Sequence, residues 1–354
     1  MARTVLIPGA GNGAGNNLVR SLRAGDPALG IVGAHDDPFA LRLSTADRRY
    51  LTPAPTDPGY AAALRRVVAA ERVDLVIPND DTHVRVVCAL REALGCRVFL
   101  PSKAVVELCQ DKYALAETLR ARGVPAPATC LVEHRDDVAR VATRLGGDRL
   151  WCRLRVGSGS RGAVPITRPS QARAWIAYWE DVRGVPPGAF TLSEYLPGRD
   201  FACQSLWKDG RLVLVKTAER LAYFGAATSV SGTSSVAAVA KTVREPRVVD
   251  VAVAAIRALD ACASGAFSVD LKEDARGVPC VTEINAGRFI TMMPLFDLTG
   301  AHNMAATYVR LALDEPVAVE DPYDAPDDGY FVRDVDTPPV VVRADALAEG
   351  LQRA

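Results

Sequence analysis

The chain has 354 residues, of which 49% are hydrophobic and 24% charged, with Lys+Arg and Asp+Glu both at 42. That length supports roughly two or three domains with sizeable cores, and the charge balance excludes a global basic field for nucleic acid or an anionic membrane. No apolar run approaches the roughly 20 residues of a membrane span, and the glycine-rich turn soon after Met1 is unlike a secretory signal. Eight cysteines without a CxxC pair read as reduced thiols of a cytoplasmic protein, and the scattered His35, His83, His134 and His302 suggest no zinc site.

In chain order, residues 4–8 read as a buried strand running into Gly9-Ala-Gly11-Asn-Gly13-Ala14-Gly15, with a helix over 16–24. Strands over 29–35, 73–78 and 96–100 alternate with helices over 60–71 and 82–94, which predicts a doubly wound parallel sheet. Gly9, Gly11 and Ala14 fit a dinucleotide fingerprint, and Asp36 lies about where a ribose-binding acid would. Tight strand-to-helix turns call for the same glycines.

A boundary follows near Pro101. Asp111 is placed to cap a helix over 112–122, ended by Gly123. A helix over 135–145 leads to a strand over 150–154 and then to Arg155-Val-Gly157-Ser158-Gly159-Ser160-Arg161-Gly162. Exposed amides flanked by arginines suit phosphate oxygens; the same composition suits a hairpin tip. A helix over 171–179 precedes a strand over 190–195, a turn, and strands over 200–208 and 211–217 joined at Asp209-Gly210. Residues 226–235 read as an irregular loop. Helices over 246–259 and 303–313 follow, and residues 330–334 suit an edge strand.

The most informative stretch is Ala266 to Arg288, two alternating runs around a polar turn. With Arg276-Gly277 at the centre of the turn, Asp270 faces Glu283, and Ser268 and Asn285 share their side of the sheet. Phe267, Val269, Leu271 and Ile284 take the core side. Opposed carboxylates repel, so neutralising either acid is expected to leave the fold intact or slightly more stable. A divalent cation between them, with Asn285 as a neutral ligand, relieves the repulsion, and so small an oxygen set suits Mg²⁺. A solvated hairpin with two surface acids is the other reading.

The order of these elements resembles that of ATP-grasp ligases, nearest to the branch holding the large subunit of carbamoyl-phosphate synthetase and stand-alone amino-acid ligases. The resemblance covers residues 1 to about 313 and is sharpest at Asp270 with Glu283-Ile-Asn285, and at Ser193-Glu194-Tyr195-Leu196-Pro-Gly-Arg-Asp200. It implies a mixed α/β and α+β ATP-grasp fold. A Rossmann-like domain (1–108) precedes a lid subdomain (109–194) and a large subdomain (195–320), with ATP clasped between two antiparallel sheets; a tail (321–354) follows.

The resemblance also implies roles. Lys112 and Arg153 contact phosphates, and Gly157, Ser158, Gly159, Ser160, Arg161 and Gly162 form the phosphate loop. Glu194, Tyr195 and Leu196 read the adenine edge, Asp200 holds the ribose, and Asp270, Glu283 and Asn285 bind two Mg²⁺ ions, for which Mn²⁺ can substitute. Arg288, one residue later than in the synthetase branch, is the candidate clamp for the acid substrate, with a structural pairing to an acid such as Asp297 as the alternative. The implied reaction joins a small carboxylate and an amine through an acyl phosphate, releasing ADP and phosphate, in a cytoplasmic enzyme for which a homodimer is compatible. Phosphorylation of bicarbonate is an alternative within the class. A nicotinamide oxidoreductase built on the N-terminal domain is the rival outside it.

Overall fold

Strand Thr4–Pro8 is buried along its last four residues and lies between two parallel neighbours, Gly30–His35 and Leu75–Val76. The computed structural model describes residues 3–232, 234, 236–297, 299–324, 329–333 and 350–353. Within these, the parallel sheet runs Gln352–Arg353, Arg48–Leu51, Gly30–His35, Thr4–Pro8, Leu75–Val76, Arg97–Val98. Strand order reverses about Thr4–Pro8. The loops leaving Thr4–Pro8 and Leu75–Val76 therefore part, opening a crevice at the carboxyl end of the sheet.

The glycine run is accounted for by the chain packing on itself. Gly9 and Gly11 have φ of +76° and +107°, and a Cβ on Gly11 would fall 2.0 Å from the Ala40 carbonyl oxygen. One on Gly9 would fall 2.7 Å from Asp80 Oδ2. These contacts alone call for glycine at both positions, with no ligand needed to explain them. Asn12 ends the run by accepting from Gly15 N at 2.7 Å, capping helix Gly13–Gly25.

Two antiparallel sheets follow. The smaller one, in the order Thr129–Val132, Phe190–Glu194, Leu150–Leu154, Val164–Ile166, has its own core against helices Val138–Leu145 and Pro169–Arg183. The larger runs Pro279–Ala286, Gly265–Glu273, Asp200–Lys208, Arg211–Tyr223, Ala237–Thr242, Tyr330–Val332. Its buried face merges with the core of the N-terminal sheet. The expected edge strand is Tyr330–Val332, paired with Ala237–Thr242; Asp334 lies outside the described residues. No described helix is long and apolar enough to cross a membrane.

The hairpin carries the expected pairs Ser268–Asn285, Val269–Ile284 and Asp270–Glu283, but not the expected turn. A β-bulge follows Asp270, so that Leu271 faces Val281 and Glu273 faces Pro279. The turn is therefore Asp274 to Gly277, closed by Gly277 N to Asp274 O at 3.0 Å, and Thr282 is the extra residue. Burial explains why the register holds at the acids. Phe267, Val269, Leu271 and Ile284 are each no more than 2% exposed. A one-residue slip would turn such side chains out at about 1.5–3 kcal/mol each.

Strand Arg211–Tyr223 runs six residues past its expected end at Thr217. Helix Lys103–Gln110, capped by Ser102, the short helices Pro38–Arg42 and Met293–Asp297, and strands Arg48–Leu51, Thr129–Val132, Val164–Ile166, Ala237–Thr242 and Gln352–Arg353 were not foreseen. Most other elements begin and end within a few residues of expectation.

Candidate active site

The cation-rich and acid-rich segments converge on one cavity of about 810 Å³ between the two antiparallel sheets and the carboxyl end of the parallel sheet. Of the sixteen residues named from the sequence, fifteen line it; Gly162 does not. Gly162 is buried beneath the loop, where a Cβ would strike Leu154 Cγ at 2.9 Å, and its carbonyl accepts from Trp175 Nε1 at 3.0 Å.

Helix Lys112–Ala121 starts at the Asp111 cap, whose carboxylate also takes both Nε and Nη2 of Arg155 at 2.8 and 2.5 Å. That pairing anchors the start of the Gly/Ser loop to the helix. Lys112 Nζ then donates to Gly157 O at 2.6 Å and lies 3.5 Å from Glu283 Oε1. Around Gly157 and Gly159, both at positive φ, no atom lies within 4 Å of an added Cβ, so nothing packs on that side of the loop.

Arg153 reaches under the loop and donates to Thr282 O at 3.0 Å, the carbonyl turned outward by the bulge. Its Nε is buried without a hydrogen-bond partner among the described residues. Burial pulls its pKa down from the ordinary guanidinium value, although Glu283 and Asp270 pull it up. A buried cation with an unused donor facing a cavity fits an anionic ligand oxygen.

Each acid has a cation beside it, Arg220 at Asp270 and Lys112 at Glu283, which offsets the repulsion expected between them. Arg220 binds Asp270 and also Asp200, the latter at 3.0 Å, and donates to Phe201 O at 3.1 Å. Tyr223 Oη donates to the other Asp200 oxygen at 2.7 Å. Burial works to raise the Glu283 pKa, but the pull of Lys112, Arg153 and Arg288 leaves it lowered. For Asp270 burial wins, and its pKa is raised despite Arg220. Asp270 and Glu283 face each other as hard oxygen donors; Asn285 turns its Nδ2 to Asp270 Oδ2 at 3.2 Å, and with that amide turned over its oxygen would complete a set that fits Mg²⁺ finished by water and phosphate.

Arg288 donates to Asn285 Oδ1, and its Nε lies 3.1 Å from Asp81 Oδ1. Its acid partner is thus Asp81 and not Asp297, whose surroundings include Ser21 and Lys216. At the opposite end, Glu194 is tied by its side chain to Ala128 N at 2.8 Å. The Tyr195 ring lies 4.2 Å beneath the Arg149 guanidinium and packs against Trp151. Trp151, Leu154 and Leu196 give this end apolar walls.

Several lining residues had no sequence signal in isolation: Arg220, Tyr223, Asp80, Arg20 and Arg333. Continuing the Asp209-Gly210 hairpin in plain register would put Glu219 opposite Asp200; a bulge at Leu206/Trp207 brings Arg220 there instead.

A cavity walled by two antiparallel sheets, backed by a doubly wound sheet and lined in this order, defines the ATP-grasp fold. No family model matches the sequence. A probable alpha-L-glutamate ligase of Stenotrophomonas maltophilia is 28% identical over 221 residues, 60% of this chain and 70% of that protein. The L-amino acid ligase of Bacillus licheniformis superposes with a TM-score of 0.68 at 16% identity, covering 88% of this chain and 74% of the other. The biotin carboxylase domain of the 2-oxoglutarate carboxylase of Hydrogenobacter thermophilus, solved with MgADP and bicarbonate, superposes at 0.71 with 16% identity, over 93% and 73%. The chain has the ATP-grasp fold of these proteins.

Proposed function

We propose that the protein is an ATP-dependent carboxylate–amine ligase, joining an amino-acid-like acid to an amine with release of ADP and phosphate. The observation that carries the reading is the convergence of Lys112, Arg153, Arg288 and the open Gly/Ser loop on the Asp270–Glu283 pair in one cavity. Relatives that include a probable alpha-L-glutamate ligase and an L-amino acid ligase support it. Asp270, Glu283 and Asn285 would hold Mg²⁺, two ions by family resemblance, with Mn²⁺ able to replace it. Bound there, the metal neutralises charge on the β- and γ-phosphates.

The protein's own groups do the rest. Trp151, Leu154 and Leu196 enclose the adenine, with Glu194 and Tyr195 at its edge, and Asp200 takes the ribose hydroxyls. Lys112, Arg153 and the amides of residues 157–161 surround the transferring phosphoryl group and stabilise the charge spreading over its oxygens. Arg288 orients the substrate carboxylate for in-line attack and then holds the acyl phosphate by its fork. Arg20 and Arg333 at the far end suit an acid with a further negative group. Closure of the loop over the cleft excludes water from the hydrolysable intermediate.

The proposed division is 1–108, 109–194 and 195–320 with a tail over 321–354, although Tyr330–Val332 and Gln352–Arg353 of that tail join the larger and the parallel sheet. All eight cysteines are free thiols, as suits the cytoplasm. The test is product analysis with ATP, Mg²⁺ and pools of amino acids, amines and bicarbonate. ADP and phosphate dependent on both an acid and an amine are expected. AMP and pyrophosphate, or turnover on bicarbonate alone, would overturn the reading.

A further inference from the structure

The crevice between the loops leaving strands Thr4–Pro8 and Leu75–Val76 opens into the active cavity, and its floor holds a carboxylate the reading above does not use. Asp80 Oδ2 lies 2.6 Å from His83 Nδ1 and 3.4 Å from Asn12 Nδ2, while Oδ1 accepts from His83 N at 3.0 Å. Its side chain is 28% exposed and faces the cavity. The neighbouring acids are already paired with cations: Asp200 and Asp270 with Arg220, Glu283 with Lys112, and Asp81 with Arg288. Among the described residues Asp80 has no lysine or arginine within ion-pair distance. Its charge faces the His83 ring at 2.6 Å and, beyond that, the open cavity.

That carboxylate stands next to the acyl site. Asp80 and Asp81 are consecutive, and Asp81 holds Arg288 at 3.1 Å. The carboxylate at the floor and the arginine assigned to the acid thus belong to one short stretch of wall, as two reactants that must meet require. Burial acts to raise the Asp80 pKa, yet its bonds to His83 leave it lowered, so the carboxylate is ionised at neutral pH.

Resting on the ligase reading, we infer that Asp80 receives and orients the ammonium group of the amine substrate. The amine arrives as R–NH₃⁺ and pairs with Asp80. One proton passes to solvent water, which frees the nitrogen lone pair. The nitrogen then forms the C–N bond, the bond from the acyl carbon to the phosphate oxygen breaks, and the second nitrogen proton leaves with the phosphate. Asp80 touches the nucleophile and is in that sense catalytic; His83 positions it.

Hydroxylamine distinguishes this role from a structural one. It is uncharged at neutral pH and attacks acyl phosphates directly, so it needs no ammonium site. Asp80→Asn is the variant of choice, because asparagine caps a helix as well as aspartate and keeps Asp81–Ala89 in place. With ATP, Mg²⁺ and a mixture of the protein amino acids, each both acid and amine, two products are measured: peptide by mass spectrometry, and hydroxamate when excess hydroxylamine is added. In Asp80→Asn, peptide formation should fall by about 100-fold or more while hydroxamate stays within about twofold of wild type. His83→Gln should lower peptide formation less and also spare hydroxamate. Equal loss of both products in a folded Asp80→Asn protein, or loss of neither, would overturn the role. Wild type that forms no hydroxamate would overturn the ligase reading itself, and the role of Asp80 with it.

Discussion

Arg220 is the residue whose removal the structure ranks as most costly. Its side chain is 10% exposed and it joins Asp200 and Asp270, which are 19% and 23% exposed. Replacing it with methionine keeps much of the apolar stem but leaves two carboxylates facing each other near Glu283. Removing one partner of a buried pair costs about 3–5 kcal/mol, and the partial exposure of the acids puts Arg220→Met near the lower end, at about 3 kcal/mol. Asp270→Asn alone should cost less than about 1 kcal/mol, because burial already disfavours the Asp270 charge and Arg220 keeps Asp200. The double variant should then be more stable than the sum of the two losses by about 1–2 kcal/mol, since the repulsion exposed by losing Arg220 is relieved by losing the Asp270 charge. Urea denaturation of the four proteins at one pH, without nucleotide or metal, closes the cycle. Additivity within about 0.5 kcal/mol would mean that Arg220 and Asp270 do not depend on each other, and the charge account of the hairpin would fail.

Three further outcomes follow from the same geometry. Arg153→Ala should lower turnover more than Arg153→Lys, because lysine keeps the charge and loses only the fork; equal effects in a kinetic comparison would deny a role for charge there. Arg288→Ala should raise KM for the acid and lower kcat with ATP affinity nearly unchanged, whereas loss of ATP and acid binding together with a lower melting temperature would mark a structural arginine held by Asp81. Asp297 has a buried Oδ1 without a partner among the described residues, and burial pushes its pKa up to about 6. A raised carboxylate pKa means the folded state holds the proton longer, so stability falls as pH rises from about 4 to about 6 and stays low above that. The full cost, on the order of 2–3 kcal/mol, should disappear in Asp297→Asn. Thermal melts should show the variant gaining on wild type between pH 4 and pH 7, and parallel curves would refute the assignment.

What could be read from the sequence was what local rules decide. The Asp111 cap, the start of the helix at Lys112 and the pairing of Asp270 with Glu283 each depend on residues close in sequence, and each stands in the structure as expected. The partners of those residues come from afar. Arg155 finds Asp111 across 44 residues and Arg220 finds Asp270 across 50. Ala218-Glu219-Arg220-Leu221-Ala222 has the composition of a helix, and pairing with Ala237–Thr242 draws it into a strand instead. Asp80 lay unmarked between a predicted strand and helix, because nothing nearby shows that the crevice above it belongs to the same cavity as Arg288. The fold was accordingly more legible than the charge balance of the cleft.

The bulge at Thr282 bears on how this chain should be aligned with its relatives. Removing Thr282 would leave the Asp270–Glu283 and Leu271–Val281 pairs able to form, in an unbroken ladder, while deleting the acceptor that holds Arg153 and the hydroxyl that donates to Asp270 O at 3.0 Å. A hairpin one residue shorter in a relative can therefore carry the same acids with a differently held cation. An alignment that places the gap in the turn would shift Thr282 and Val281 onto the wrong partners while seeming to match Glu283 and Asn285. Placed at Thr282, the gap keeps both halves of the ladder in register, and its absence becomes a marker for relatives that hold their phosphate-side cation as this one does.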